Sequence, residues 1–335
     1  MLYSSGLLTC IVRARCRGRA LVLMYHRVTA DGPAENHGGI SVTRPTFEKH
    51  LRFLKNNFRV ISPSEYLEHL DRKEDFAAGS VLLTFDDGWR DNYENAYPAL
   101  KKECLPAVVF PAVGFIGSSE LFWQDRLRRS LADLRRNSPV ANQDIAVRQQ
   151  KRLFRICPSA ELRRVLDADE RKLESAINSC VAAFKKKPCE DAERLIATLE
   201  RLTGKVPRPV QRNFLSWLEL TEMSENGIDI GSHGIRHTIL TSISDKGRLA
   251  REIVGSREIL EFGLRRKVRL FSYPNGDYNR VISGAVHRSG YCAAFGTVPG
   301  ANACTDNPYG MKRINIHEDM AGTAPLFLAR AAGLW

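Results

Sequence analysis

The chain has 335 residues, 43% of them apolar and 26% charged, with 50 lysines and arginines against 38 acids and a net charge of +12. This composition leaves ample length for a large core and excludes general disorder. No apolar run approaches the ~18 residues needed to cross a bilayer, which excludes an integral membrane protein built of helices. The charge is localised: Arg13, Arg15, Arg17 and Arg19 lie in a first stretch of twenty residues without an acid, and residues 118–212 carry a net +8. Solvated basic faces explain that placement, with attraction to an anionic polymer or a membrane surface as the alternative. It does not suit a nucleic-acid binder, whose basic residues cover the working surface. Eight scattered cysteines, with no CxxC pair in so long a chain, read as reduced thiols. The apolar stretch LLTCIV is short and its arginines follow it, so a secretory signal is not recognised. Cytoplasmic residence is expected, with a weak amphipathic anchor or a contact to a membrane-bound synthesis machine as the alternative.

ALVLMYH (20–26) reads as a buried strand, and PTFEKHLRFLKNN (45–57) as a helix with Phe47, Leu51 and Leu54 on one face and Thr46 near its start. FRVISP gives a short strand and SEYLEHL a short helix opened by Ser64. SVLLTFDDG (80–88) is the clearest strand, followed by a helix over 92–102 and the strand PAVVFPA (106–112). Residues 118–212 break this alternation with helix formers punctuated by Pro139, Pro158 and Pro188. After them come strands in GIDIGSHG (227–234), VRLFSYPNG (268–276) and YCAAFG (291–296), with helices over 245–263 and 279–289 between them. Strands that alternate with helices and are apolar throughout imply a parallel α/β sheet or barrel. The expected organisation is a basic arm (1–19), an α/β domain (20–117 and 213–335) and a helical insertion (118–212).

Asp86 and Asp87 end an apolar strand just before Gly88, the place where α/β proteins build their sites. Neighbouring strand residues point to opposite sides, but a bend at the strand end can aim both carboxylates at one centre. An acidic turn with an aspartate capping a helix is the competing explanation. GSHGIRH also follows a strand, and its His233 and His237, four apart, can share one metal or be mere packing. One aspartate and two histidines form the O/N ligand set of zinc or a similar divalent ion, and three protein ligands leave positions open for chemistry. The second carboxylate is then available to take a proton from water. A magnesium phosphatase could also use FDDG, but two histidines are poor magnesium ligands.

SVLLTFDDGWRDNYENAYPAL resembles the first motif of the polysaccharide deacetylases, the NodB-homology family, and GSHGIRH resembles their second. The resemblance covers about 20–117 and 213–320. It implies a distorted (β/α)7 barrel that removes acetyl groups from N-acetylated sugars, with Asp86 as catalytic base and Asp87, His233 and His237 as ligands of a divalent metal, zinc or another transition metal. FSYPNGDY (271–278) falls where the family has an arginine-containing third motif, but Ser272 stands in place of the arginine and Asn275 in place of a tyrosine. Arg313, in MKRINIHED, is a candidate substitute, and the Asn275 backbone N–H is the candidate oxyanion donor. Two histidines compete for the general acid. His26, in LVLMYHRV, resembles the early Tyr-His motif of exopolysaccharide-type members and is preferred. His317 lies where many members have a Leu-x-His motif. Trp89, Tyr25 and Tyr273 could stack on a sugar ring or simply fill the core. The expected activity is metal-dependent de-N-acetylation of a sugar or polysaccharide. The alternatives are hydrolysis of a non-sugar amide at the same metal and a catalytically impaired carbohydrate-binding protein.

Overall fold

The computed structural model describes residues 12–14, 16–30, 39–136, 153, 159–206 and 211–331. Most of the expected arm (1–11 and 15), Pro139, Pro158 and most of the IAVRQQKRLFRI stretch lie outside the described residues. The chain divides into two compact units, one of Met1–Ser118, Arg212–Arg236 and Ala250–Trp335, the other of Ser119–Gln211 and His237–Leu249.

Among the described residues, the first unit has eleven strands: β1 (Arg19–Tyr25), β2 (Arg27–Thr29), β3 (Ser41–Thr43), β4 (Arg59–Val60), β5 (Ser80–Asp87), β6 (Ala107–Pro111), β7 (Ile228–Ile230), β8 (Leu270–Ser272), β9 (Ala293–Phe295), β10 (Ala301–Ala303) and β11 (Ile314–Asn315). Parallel pairing runs β11–β1–β5–β6–β7. It continues through a parallel bridge from Ser232 to Phe271, the β8–β9 pair, and a parallel bridge from Phe295 to Met311. Met311 leads back into β11, so seven parallel staves close on themselves: the distorted (β/α)7 barrel expected from the motifs. Two staves join their neighbours through single residues, which is where the barrel is irregular. β10 pairs antiparallel with the start of β1, β4 pairs with the start of β5, and β2 and β3 form a separate parallel pair.

The strands are continuous apolar runs because both their faces are covered, as in other parallel sheets. Every residue of β5 is buried. Inside the barrel, Val22, Leu82, Val108, Leu270 and Ala293 belong to one apolar cluster with Phe110 and Phe295. Burying each large side chain of this kind stabilises by about 1.5–3 kcal/mol. Helix starts differ from the sequence reading by a few residues. Thr43 caps Arg44–Asn57, and Ser62, not Ser64, caps Pro63–Arg72 with proline as the first helical residue. The helix expected over 92–102 opens with a π turn at Asn92–Ala96, and the one over 245–263 is divided by a π turn at Arg251–Gly255.

In the second unit, helices Trp123–Arg136, Ala160–Asp167, Glu170–Phe184 and Cys189–Thr203 share one apolar core. Leu127, Leu131 and Leu134 recur at helical spacing and face Leu195 and Leu199 within it. Arg126 binds both oxygens of Glu200, the nearest at 2.7 Å, across the helix pair. Among the described residues of the chain, no helix is long and apolar enough to cross a membrane.

The turn that ends β5 depends on a glycine. Gly88 has φ +76°, and a Cβ there would lie 2.7 Å from the Pro111 Cβ and 2.8 Å from its Cα. Backbone strain and overpacking each cost about 1–3 kcal/mol. Gly88→Ala is therefore expected to lower stability by more than about 2 kcal/mol, read from the urea unfolding midpoint; an unchanged midpoint would refute the close packing of this turn.

Candidate active site

Asp86 and Asp87 end β5, and His26, His233 and Asn275 follow the carboxyl ends of β1, β7 and β8. Asp86 continues the inward alternation of Leu82 and Thr84 along β5. At Asp87 the chain enters the left-handed region, with φ +74°, and leaves the extended conformation. That is the bend the sequence argument required, and the acidic pair is more than a helix cap: Asp86 is 2% and Asp87 5% exposed.

Asp86 is clamped by Arg313. The two guanidinium nitrogens Nη1 and Nη2 donate to Oδ1 and Oδ2, each at 2.7 Å. Arg313 is fully buried, and its Nε donates to the Gly296 carbonyl at 2.9 Å. It stands one residue before Ile314, which pairs with Leu23. The guanidinium thus rises from a lower layer of the barrel to reach Asp86, passing the Phe110 and Phe295 rings at 6.0 and 5.9 Å. The Ser272 hydroxyl donates to Asp86 Oδ2 at 3.1 Å and accepts from Arg313 Nη2 at 2.9 Å. Burial works against the Asp86 charge, but the Arg313 and His233 charges outweigh it and hold the carboxyl below the usual carboxylate range.

Asp87, His233 and His237 are all buried, and one potential ligand atom from each lies within 4.8 Å of the others. His233 Nδ1 lies 2.8 Å from the Ser272 carbonyl, which can only accept, so Nδ1 carries the proton in the neutral ring. That leaves the Nε2 lone pair 3.5 Å from Asp87 Oδ1. Two ligands at tetrahedral zinc are about 3.3 Å apart, and a histidine oriented by a carbonyl at its far nitrogen is the usual support of a metal ligand. Burial pushes the His233 imidazole down, yet Asp86 and Asp87 outweigh it and hold it above its ordinary value. The same negative field attracts a cation. Donor types, spacing and field all fit a divalent metal ion.

Sequence reasoning missed two supports of this cluster and undervalued a third. The buried Glu252 carboxylate accepts from the backbone N–H of Ile235 at 2.6 Å and of Arg236 at 3.1 Å, holding the turn after His233. Nothing in its local sequence marks it, because it lies in a helical segment. The Trp89 indole donates to Asp87 Oδ2 at 2.8 Å. Ser272, read only as a missing arginine, contacts Asp86, Arg313 and His233 at once. Trp89, Tyr25 and Tyr273 are buried, and Tyr25 packs against Phe47 and Phe85, so the core reading replaces sugar stacking for all three.

The two candidate acids have different surroundings. His26 directly follows β1; burial holds it below its ordinary value against the upward pull of Asp87 and Asp86. Its Nδ1 is buried and has no hydrogen-bond partner among the described residues. His317 is lowered by burial against the pull of Asp319, whose carboxylate lies 3.6 Å away, and Arg330 acts in the same direction as burial. Its field is thus set by groups other than Asp86 and Asp87. Asn275 adopts a left-handed conformation, φ +61°, and its side chain donates to Asp277 at 2.6 Å. The Pro274 ring before it lies 3.8 Å from where a Cβ on Gly234 would stand, so the turn borders the His233 segment.

A profile of the polysaccharide deacetylase family matches residues 73–294. YxkH of Bacillus subtilis, named for the same activity, is 21% identical over 304 residues, covering 90% of this chain and 73% of that protein. A poly-beta-1,6-N-acetyl-D-glucosamine N-deacetylase of Staphylococcus aureus is 31% identical over 121 residues, but the match spans 33% of this chain and 41% of that protein. Two solved structures share the fold. The Streptococcus pyogenes deacetylase PplD in complex with acetate has a TM-score of 0.58 at 19% identity, covering 90% of this chain and 94% of its own. IcaB from Ammonifex degensii has a TM-score of 0.58 at 18% identity, covering 94% and 97%.

The clamp has a measurable consequence for stability. Arg313→Met strands the Asp86 carboxylate in the barrel, and breaking a buried pair in this way costs about 3–5 kcal/mol. Adding Asp86→Asn should recover much of that loss, because no charge is left to solvate. Urea titrations of the two single variants and the double variant test this; simple additivity of the two losses would contradict the clamp.

Proposed function

The chain belongs to the polysaccharide deacetylase family, and from that premise we propose that it removes N-acetyl groups from an acetamido-sugar polymer at the centre formed by Asp86, Asp87, His233 and His237. One observation carries this reading: two adjacent carboxylates have separate partners, one held by a guanidinium and the other beside two histidines. A binding module needs no such division, which weighs against an impaired enzyme, and family membership weighs against a non-sugar amide as substrate.

Asp87, His233 and His237 are the residues that would hold the metal, and zinc suits their O/N donors best. A divalent ion there would polarise the acetyl carbonyl and make water more acidic. Asp86 is the base. Its Oδ2 accepts from both Arg313 and Ser272, which occupies the two lone pairs of that oxygen. Oδ1 accepts from Arg313 alone among these contacts and keeps a lone pair for the proton of the attacking water. Arg313 and Ser272 also fix the plane of the carboxylate, so the accepting lone pair is preorganised. The Asn275 backbone N–H, in the turn beside His233, is the proposed donor to the oxyanion. His26 gives the proton that lets the sugar amine depart. It is preferred over His317 because it shares the field of Asp86 and Asp87. Residues 118–212 are proposed as an insertion that helps hold an extended substrate.

Acetate release from N-acetylglucosamine oligomers, with zinc supplied or chelated away, tests the activity itself. Asp86→Asn should retain zinc by elemental analysis yet lose about 10²–10⁴-fold in turnover; near-normal turnover by the zinc-loaded variant would remove Asp86 from the base role.

The acid assignment is tested by changing the leaving group. His26→Ala should lose most turnover on an acetamido sugar and retain it on an acetyl ester whose leaving group departs without a proton. His317→Ala should show a milder loss shared by both substrates. Leaving-group dependence at His317 alone would transfer the role there.

A further inference from the structure

Asp87 is held by a neighbour whose chemistry the proposed reaction does not use. The Trp89 N–H donates to Oδ2 at 2.8 Å, while Oδ1 lies 3.5 Å from His233 Nε2. The indole itself is held by its neighbours. Phe214 stacks on the ring at 4.7 Å and 21°. The two strands of chain are tied by Arg90 N–H to the Asn213 carbonyl at 2.7 Å and Leu215 N–H to the Gly88 carbonyl at 2.9 Å. The Arg27 guanidinium lies over the ring at 4.7 Å and is anchored by Asp91 at 2.7 Å. Only 6% of Trp89 is exposed, so the ring presents no face to a sugar. A cation over an indole draws electron density from it and makes its N–H a better donor.

We infer that Trp89 is a positioning residue of the metal centre: its indole N–H commits Asp87 Oδ2 and so presents Oδ1, beside His233 Nε2, as the single ligating oxygen. This rests on the proposed Asp87–His233–His237 site. A carboxylate whose Oδ2 is turned toward the indole N–H is held with Oδ1 facing His233, which favours ligation by one oxygen and preserves the open coordination that a catalytic metal needs. The Asp91–Arg27 pair acts one step further out, on the donor strength of the indole.

The test is zinc affinity, measured by competition with a chromophoric chelator. Trp89→Phe removes the donor and keeps a smaller aromatic ring for Phe214 and Arg27 to pack on. Its zinc dissociation constant should rise about 10–100-fold, the usual effect of losing an outer-shell partner. Phe214→Leu loosens the same ring and keeps the donor, so its zinc affinity should match wild type. Wild-type affinity in Trp89→Phe, or an equal loss in Phe214→Leu, overturns the inference. Indole ¹⁵N–¹H spectra of the intact protein give a second reading that needs no change at Trp89. Its signal is assigned by elimination, using Trp123→Phe, Trp217→Phe and Trp335→Phe for the other three of the four tryptophans. That signal should move on adding zinc, and should stay put in the His233→Ala/His237→Ala variant. A Trp89 signal indifferent to zinc in wild type, with zinc bound, overturns the inference while leaving the metal centre standing. Zinc binding that survives loss of both histidines overturns the centre and this inference with it.

Discussion

A guanidinium and a carboxylate facing each other inside a barrel set the terms for everything around them. Neither Arg313 nor Asp86 could be buried alone, since an isolated charge in so apolar an interior would neutralise or bring water in. Together, with Ser272, Thr84 and the Gly296 carbonyl as further partners, they form a compensated polar layer above the apolar one. Such a pair is weak evidence for net stability, because desolvation offsets most of its attraction. What it supplies is orientation. A carboxylate with three hydrogen bonds to its two oxygens has one plane and one lone pair free in a defined direction.

That constraint divides labour between two residues adjacent in sequence. Had β5 stayed extended through Asp87, the two carboxylates would have faced opposite sides of the sheet. The left-handed turn at Asp87 and Gly88 brings the second into the same mouth, and the tight packing of Gly88 on Pro111 allows little other path. Ser272 then joins the halves: its hydroxyl touches the Asp86–Arg313 pair and its carbonyl touches His233. A small side chain is required there, because the space an arginine would fill on β8 is already taken by the guanidinium arriving from the residue before β11.

What was legible in the sequence was whatever is decided locally. Asp86, Asp87, His233 and His237 could be chosen because FDDG and GSHGIRH are short, and because strand ends are where such residues do chemistry. The buried strands were legible because apolar runs on both faces leave no alternation to misread. The rest is long-range. Arg313 is 227 residues from the carboxylate it clamps, and the strand that follows it has only two residues. No periodicity can be read from so short an element, and the same holds for the Ser232 and Met311 bridges that close the barrel. Trp89 was visible two residues from Asp87, but sugar stacking and core packing explained it equally well, since exposure is not written in a residue's type. Glu252 was invisible for a simpler reason: a glutamate in a helix is expected to meet solvent, and only the fold turns it inward.

The displaced arginine shows what a motif records. In the family the arginine is expected beside the proline of the third motif, and a reader of the motif alone would judge this site defective. The physical requirement is a cation of fixed geometry within hydrogen-bond reach of the Asp86 carboxylate, and the barrel offers several staves from which one can arrive. Adjacent staves differ in the layer from which a side chain must start. A residue on β8 level with Asp86 would reach it sideways, whereas Arg313 starts near the layer of Val22 and Leu82 and needs its full length to climb. Lysine could span a similar distance but would offer one point charge in place of a planar fork. The bidentate contact therefore selects arginine at 313 as strictly as the usual motif selects it elsewhere, and the price of the altered position is that the apolar layer beneath must leave a channel between Phe110 and Phe295 for the side chain to pass.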